Sequence, residues 1–219
     1  MTAVGVAMTI SSLHTRPMWL YSVLSGGAGV VLILAAAASP PAMADTSAQA
    51  GVVAGAAAAG SWGPPTEVAA ALNTGGTAAV NSISCASAGN CGAGGYYENS
   101  PGVVQSFVVS EANGTWAPAI EVAAALNTLG VGEISSVSCR SAGNCTAGGY
   151  YSNSRVQGPF VVSEVNGTWG PAKAVATALN TGGSGRIESV SCASAGNCSA
   201  GGGYTDSSGH SQAFVVSQT

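Results

Sequence analysis

An all-β fold of three repeated units, each of four strands, is what this sequence predicts, and three observations carry it. One block recurs three times, apolar and small polar residues alternate around it, and turn dipeptides separate the runs. The block is Ser-Cys-Ala-Ser-Ala-Gly-Asn-Cys at residues 84–91 and again at 191–198; at 138–145 it differs only by Arg140. Trp62, Trp116 and Trp169 recur at intervals of 54 and 53 residues, as do Cys85, Cys139 and Cys192, and Asn73, Asn127 and Asn180. A fixed period of this length marks a repeat architecture in which each unit is one supersecondary motif.

Residues 1–44 have the layout of a secretory signal peptide. His14 and Arg16 sit in a weakly polar start, an apolar run extends from Met18 to Ala38, Ser39-Pro40-Pro41 breaks it, and Ala42-Met43-Ala44 offers small residues for cleavage before Asp45. The alternative is a retained anchor, since about 20 apolar residues can span a bilayer. Either arrangement puts the rest of the chain in an oxidising space, secreted or held at the cell envelope. Residues 45–60, rich in Ala and Gly, are expected to be a flexible linker, and residues 61–219 the repeat domain.

Within the first unit, Ile83 and Cys85 alternate with Ser82 and Ser84, the period of a half-buried strand. A five-residue connection containing Gly89-Asn90 should return the chain through Cys91, Ala93, Gly95 and Tyr97 as a second strand. Ser106–Ser110, centred on Phe107-Val108-Val109, is a third. Asn113-Gly114 then signals a two-residue hairpin, because both turn positions need positive φ. Thr115-Trp116 opens a fourth strand, continued by Glu121–Leu126. That last stretch is ambiguous, since alanine favours helix, but five or six residues are marginal for one, and strand followed by loop is the expectation.

Six cysteines fall in three C-x5-C pairs. In an exported chain the repeat selects local bridges, Cys85–Cys91, Cys139–Cys145 and Cys192–Cys198, each stapling the first hairpin of its unit. A zinc site is the alternative, but thiolate sites favour C-x2-4-C spacing with further ligands, and His210 is the one histidine beyond the leader. No metal and no cofactor are expected.

The array is also out of phase with itself. It begins with Ser61-Trp62-Gly63-Pro64, the opening of a fourth strand, and ends on Phe214–Ser217, a third strand. Residues 61–68 are therefore expected to pair beside residues 212–217, from the same chain or from a neighbour, and hide the edge of the last sheet.

Units of the form S-C-x-S-x-x-N-C-x-A-G-G, followed by F-V-V-S-E-x-N-G-T-W, resemble the tandem repeats of secreted actinobacterial β-propeller-like proteins, over residues 61–219. Ser110–Trp116 and Ser163–Trp169 are similar to the Asp-box hairpin of sialidase-type propellers. They are one residue shorter and carry Ala112 or Val165 where the aspartate is expected. The resemblance implies four-stranded units of propeller-blade type, closed by the N-terminal strand, without sialidase chemistry; Arg140 aligns with Ala86 and Ala193, so no arginine cluster recurs. Propellers usually have four to eight blades. Three units leave a six-blade homodimer, a closed three-unit ring, or another threefold fold such as a β-trefoil or β-prism.

Charged residues are only 6% of the chain. Beyond the leader four basic residues stand against nine acidic ones, a balance of −5. Nucleic-acid binding needs a basic footprint, so that class is excluded, and anionic lipid with it. No convergent catalytic set is legible. His210 with Asp206 lies in a Gly-Ser loop, and Glu67, Glu111, Glu121 and Glu164 are copies made by repetition, so the chain is expected not to be an enzyme. What recurs on the surface is aromatic and amide chemistry: Tyr97, Tyr151 and Tyr204 near the ends of second strands, and Asn73, Asn127 and Asn180 in Asn-Thr loops. Rings beside amides suit sugars, and core packing of one tyrosine per pair is the competing assignment. The expected function is a non-catalytic binding module of the envelope or extracellular space, recognising cell-wall polysaccharide or another envelope protein. The alternative is a structural or protein-interaction scaffold without a small ligand.

Overall fold

The computed structural model describes residues 60–219; the signal-peptide expectation and nearly all of the linker lie outside them. The described chain is all-β, in three antiparallel sheets of five, five and three strands. The first contains β1 (Ala78–Ser87), β2 (Asn90–Ser100), β3 (Val103–Ala112), β4 (Thr115–Trp116) and β5 (Ile120–Val122). The second contains β6 (Glu133–Ser141), β7 (Asn144–Ser152), β8 (Gln157–Val165), β9 (Thr168–Trp169) and β10 (Lys173–Ala174). The third contains β11 (Gly185–Ser194), β12 (Asn197–Thr205) and β13 (Ser211–Ser217). Each is a meander, and among the described residues no closed barrel or propeller forms.

The fourth strand of each complete unit is two fragments rather than one. In the first unit β4 pairs with Glu111-Ala112, and β5 with Ser106–Val108 further along the same strand. Pro118 and Pro171 lie in the gaps; a proline has no N–H to give to a ladder, so pairing lapses there. The first hairpin is tighter than the sequence suggested. Ala88-Gly89 alone forms the turn, with Gly89 at φ +72°. The Asn-Gly turns are as expected, with Asn113 at +51° and Gly114 at +80°, and Asn166 and Gly167 nearly the same.

The three disulfides join the expected pairs. Each links residues directly opposite in the ladder, Cys85 to Cys91 for example, with Cα atoms 3.9–4.0 Å apart. Unfolded but unreduced protein is expected to show no free thiol with Ellman's reagent. Replacing Cys139 and Cys145 together by serine should cost about 2 kcal/mol in urea unfolding, the chain-entropy value for so short a loop. Two or more free thiols would contradict the pairing.

One bulge recurs in every first strand, between Val80 and Ser82, Ile134 and Ser136, and Ile187 and Ser189. It drives a carbonyl towards the facing strand at Gly95, Gly149 or Gly202. A Cβ there would lie 1.9, 1.8 or 2.0 Å from the oxygen of Ala79, Glu133 or Arg186. The second glycine of the motif's Gly-Gly pair is a requirement of this bulge.

The sheets pack on one another through their faces. The pleat sends Val137 and Cys139 of the second sheet towards the first, and Ser136 and Ser138 towards the third. Val137 and Cys139 donate backbone N–H groups to Ser82 and Ser84 Oγ, both at 2.9 Å. One unit on, Val190 and Cys192 donate to Ser136 and Ser138 Oγ at 3.0 and 3.1 Å. Each bond contributes about 1 kcal/mol. Between them sit close contacts that glycine permits: a Cβ on Gly94 would meet Ile134 at 2.8 Å, and one on Gly148 would meet Ile187 at 2.7 Å.

Candidate functional site

The tyrosines proposed from the sequence as ligand platforms are placed mainly in the interior. Tyr97 is 1% exposed and Tyr151 5%. Tyr97 packs in a cluster with Ala69, Ala93, Phe107 and Val109, its ring tilted against Phe107 at 6.5 Å. Tyr204 is half-buried and meets Phe214 edge-on at 6.3 Å. Neither Tyr97 nor Tyr151 has an open ring face to offer a sugar. Alternation of inward and outward residues explains the pairs: in Tyr96-Tyr97 and Tyr150-Tyr151 the second member points inward and the first is half-exposed.

Burial, and then the neighbouring Glu121 carboxylate, push the Tyr97 phenol above its ordinary value near 10. The folded state therefore holds the proton after the unfolded chain has released it. Stability from this group is complete below pH 10 and is lost as pH rises from there through the folded pKa. Urea midpoints should fall above pH 10, and Tyr97→Phe should flatten that fall; an unchanged alkaline slope in the variant would count against the assignment.

The asparagines are structural too. Asn127, 2% exposed, donates from Nδ2 to Val104 O at 2.9 Å and to Gln105 Oε1 at 2.7 Å. Its Oδ1 accepts from Val131 and Ser152 N–H at 3.1 and 3.0 Å. Asn127 thus ties the third strand of the first unit to the second unit. Asn180 repeats the tie on Gln157 O at 2.9 Å. Asn73, the first in the series, is only half-buried. The Asp206–His210 pair forms a turn: Asp206 Oδ1 accepts from Ser208 and His210 N–H at 2.9 and 3.0 Å, which holds its carboxyl below the usual range. Among the described residues no group of His, Cys, Asp and Glu has the arrangement to hold a metal.

Within the chain, residues 61–68 do not pair beside residues 212–217. β13 closes the third sheet with one edge open. Residues 61–67 are exposed, and Trp62 is fully so, while Val68, Ala69 and Leu72 pack into the core of the first unit. Ala119 N–H donates to Val68 O at 3.2 Å and fixes the segment there. Their own hydrophobic anchors hold these residues at the opposite end of the array from β13.

Comparison of equivalent positions exposes the site that sequence reasoning missed. Val80, Ile134 and Ile187 are equivalent, and their exposures are 49%, 0% and 0%. Ile83, Val137 and Val190 show 58%, 6% and 7%. The reverse gradient runs on the other side: Val108 is buried, Val161 half-buried and Val215 85% exposed. A Cβ on Gly201, the equivalent of Gly94 and Gly148, meets nothing closer than 3.5 Å. The domain therefore has two open end faces. The first sheet presents what the second and third bury against their predecessors, and the third presents what the first and second bury against their successors.

A cleft of about 240 Å³ lies beside the second face, lined by Ser163, Glu164, Thr146, Cys198 and Gln218 among others. One unit earlier the corresponding place is occupied. Trp169 donates its indole N–H to Ser110 Oγ at 2.9 Å, and the same hydroxyl donates to buried Glu164 Oε1 at 2.6 Å. Ser163 and Gln218 are the equivalents of Ser110 and Glu164, and among the described residues no tryptophan occupies the corresponding place. Scanned against family models and searched against curated proteins, the sequence gave no match.

Proposed function

We propose that the chain is an exported, non-catalytic protein-interaction scaffold built from propeller-blade-type sheets, a short segment of a stacked array that works through its two end faces. The observation that carries this reading is the exposure of Val80, Ile83 and Val215: the equivalents of the first two are buried where one unit meets another, and those of Val215, Val108 and Val161, are buried and half-buried. Exposed apolar side chains together with the exposed hydroxyls of Ser189 and Ser191 are the composition of an interface awaiting its partner. The three disulfides fit an oxidising, extracellular or envelope location. The polysaccharide-module reading loses support because Tyr97, Tyr151, Asn127 and Asn180, its main residues, lie in the interior.

A photoreactive amino acid placed at position 83 or 215 in producing cells tests the proposal. Protein adducts are expected from both positions, and none from position 207 in the exposed turn. The same preparation should not pellet with peptidoglycan, arabinogalactan, chitin or cellulose. Absence of protein adducts, together with salt-insensitive pelleting reversed by soluble fragments of one polymer, would replace the scaffold by a carbohydrate-binding module.

A further inference from the structure

We propose that the partner of each end face is a second copy of this chain, docked head to tail, with residues 61–68 supplying the fourth strand that the neighbour's third sheet lacks. This deepens the scaffold reading and rests on it. The argument is continuity with an interface the chain already makes twice.

The repeat transfers each internal contact to a definite pair at the ends. Internally Val137 N–H and Cys139 N–H reach Ser82 and Ser84 Oγ, and Val190 and Cys192 reach Ser136 and Ser138. The next members of both series are Ser189 and Ser191, exposed on β11, as acceptors, and Ile83 and Cys85 N–H of the second copy as donors. Gly94 and Gly148 receive Ile134 and Ile187; Gly201 in its open space would receive Val80 of the second copy.

The loops follow the same rule. Val104 N–H donates to Gly130 O at 2.7 Å and Gln157 N–H to Gly183 O at 2.8 Å. Asn127 and Asn180 bond back to the carbonyls of those same two residues, at 2.9 Å each. The third acceptor strand begins at Ser211, and the third amide is that of Asn73.

The strand edge completes the match. β5 pairs Glu121 with Phe107 and Ile120 with Val108, and β10 pairs Ala174 with Phe160 and Lys173 with Val161. The equivalents are Glu67 opposite Phe214 and Thr66 opposite Val215. Trp116 and Trp169 stand opposite Glu111 and Glu164, which sets Trp62 opposite Gln218. There the indole enters the cleft of about 240 Å³ and donates to Ser163 Oγ, as Trp169 does to Ser110. Among the described residues, the fully exposed Trp62 and the open cleft beside Ser163 thus fall at opposite ends of the array. Val68, Ala69 and Leu72 already hold the incoming segment on the first unit, where Val122 and Ala123 are held in the core of the second.

Such a contact is heterologous, so it closes into a ring or extends along an axis. Two copies give six units, within the four to eight usual in closed toroids.

Sedimentation velocity of the purified full-length chain over a range of concentrations tests this. The wild type should form dimers or larger species. Ile83→Asp and Val215→Asp, each with unchanged far-UV circular dichroism, should weaken association by about 100-fold or more, because a buried unpaired charge cannot be accommodated. Trp62→Ala should weaken it by about 30-fold, the effect of an emptied anchor pocket. An equal mixture of the two aspartate variants should recover a species of two copies and no more, since each retains the face the other has lost. If Val215→Asp misfolds, Gly201→Val replaces it, adding bulk only to the open face.

A wild type that stays monomeric to about 100 μM would overturn the proposal, as would association blocked by one aspartate variant and untouched by the other. Monomers whose Trp62 is shielded from acrylamide would overturn it in favour of closure within one chain. Adducts at positions 83 and 215 with an unlike protein, from a monomeric chain, would remove the second copy and leave the scaffold standing; absence of adducts would remove both.

Discussion

Replacing Phe160 by alanine is expected to cost about 3–5 kcal/mol, the range for a buried phenylalanine whose site cannot collapse. Phe160 is fully buried in the central unit, clustered with Ile134, Val137, Ala147, Tyr151 and Val162, and sheets lie on both sides of it. A domain of ordinary stability holds only about 5–15 kcal/mol in total, so this one change removes a large share. The equivalents make an internal control. Phe107, 1% exposed, should cost nearly as much. Phe214, 7% exposed in a sheet whose outer face is open, should cost least, because its neighbours can relax into the space. Urea unfolding with a common slope reads the series. An equal cost at all three positions would contradict an array with a closed centre and open ends.

Gly149→Ala is expected to be at least as damaging, at about 3 kcal/mol or more, although it adds one methyl group. The added carbon would lie 1.8 Å from Glu133 O and 2.8 Å from its carbonyl carbon, both backbone, so no side chain can turn away to make room. The bulge between Ile134 and Ser136 would have to open, and with it the ladder between β6 and β7. Gly201→Ala, at the position equivalent to Gly148, meets nothing closer than 3.5 Å and should change stability by under about 0.5 kcal/mol. Guanidinium unfolding of the two variants side by side separates a conformational demand from a general intolerance of alanine on glycine-rich strands.

The strands were legible because their signals are local. Alternation around Ile83 and Cys85, the β-branched run at Phe107–Val109 and the Asn113-Gly114 turn each specify backbone within a few residues. The cysteine pairing was legible because the repeat removed the ambiguity of six thiols. The inward member of each tyrosine pair follows from alternation, since Tyr97 shares a face with Cys91 and Ala93. How fully it is covered depends on Ala69, Phe107 and Val109, and the burial of Asn127 depends on strands from two units, neither of which is local. Nor did the sequence show that residues 61–68 stay with the first unit. Their likeness to Trp116–Val122 argued for pairing with a third strand. What decides their place is tertiary, the burial of Val68, Ala69 and Leu72 against Phe107 and Val109. The end faces could be seen only by comparing exposure across units, because Ile83 and Val137 look alike in sequence and differ only in what lies beyond them.

The central claim is that the two ends of the domain are the two halves of the contact its units make internally. Hydrogen exchange followed by mass spectrometry, at low and high protein concentration, tests it most directly. Peptides covering residues 61–68 and 211–218 should gain protection together as concentration rises, while those covering Phe160 and the central sheet stay unchanged. Exchange at both ends that is fast and independent of concentration, or protection gained by one end alone, would contradict it.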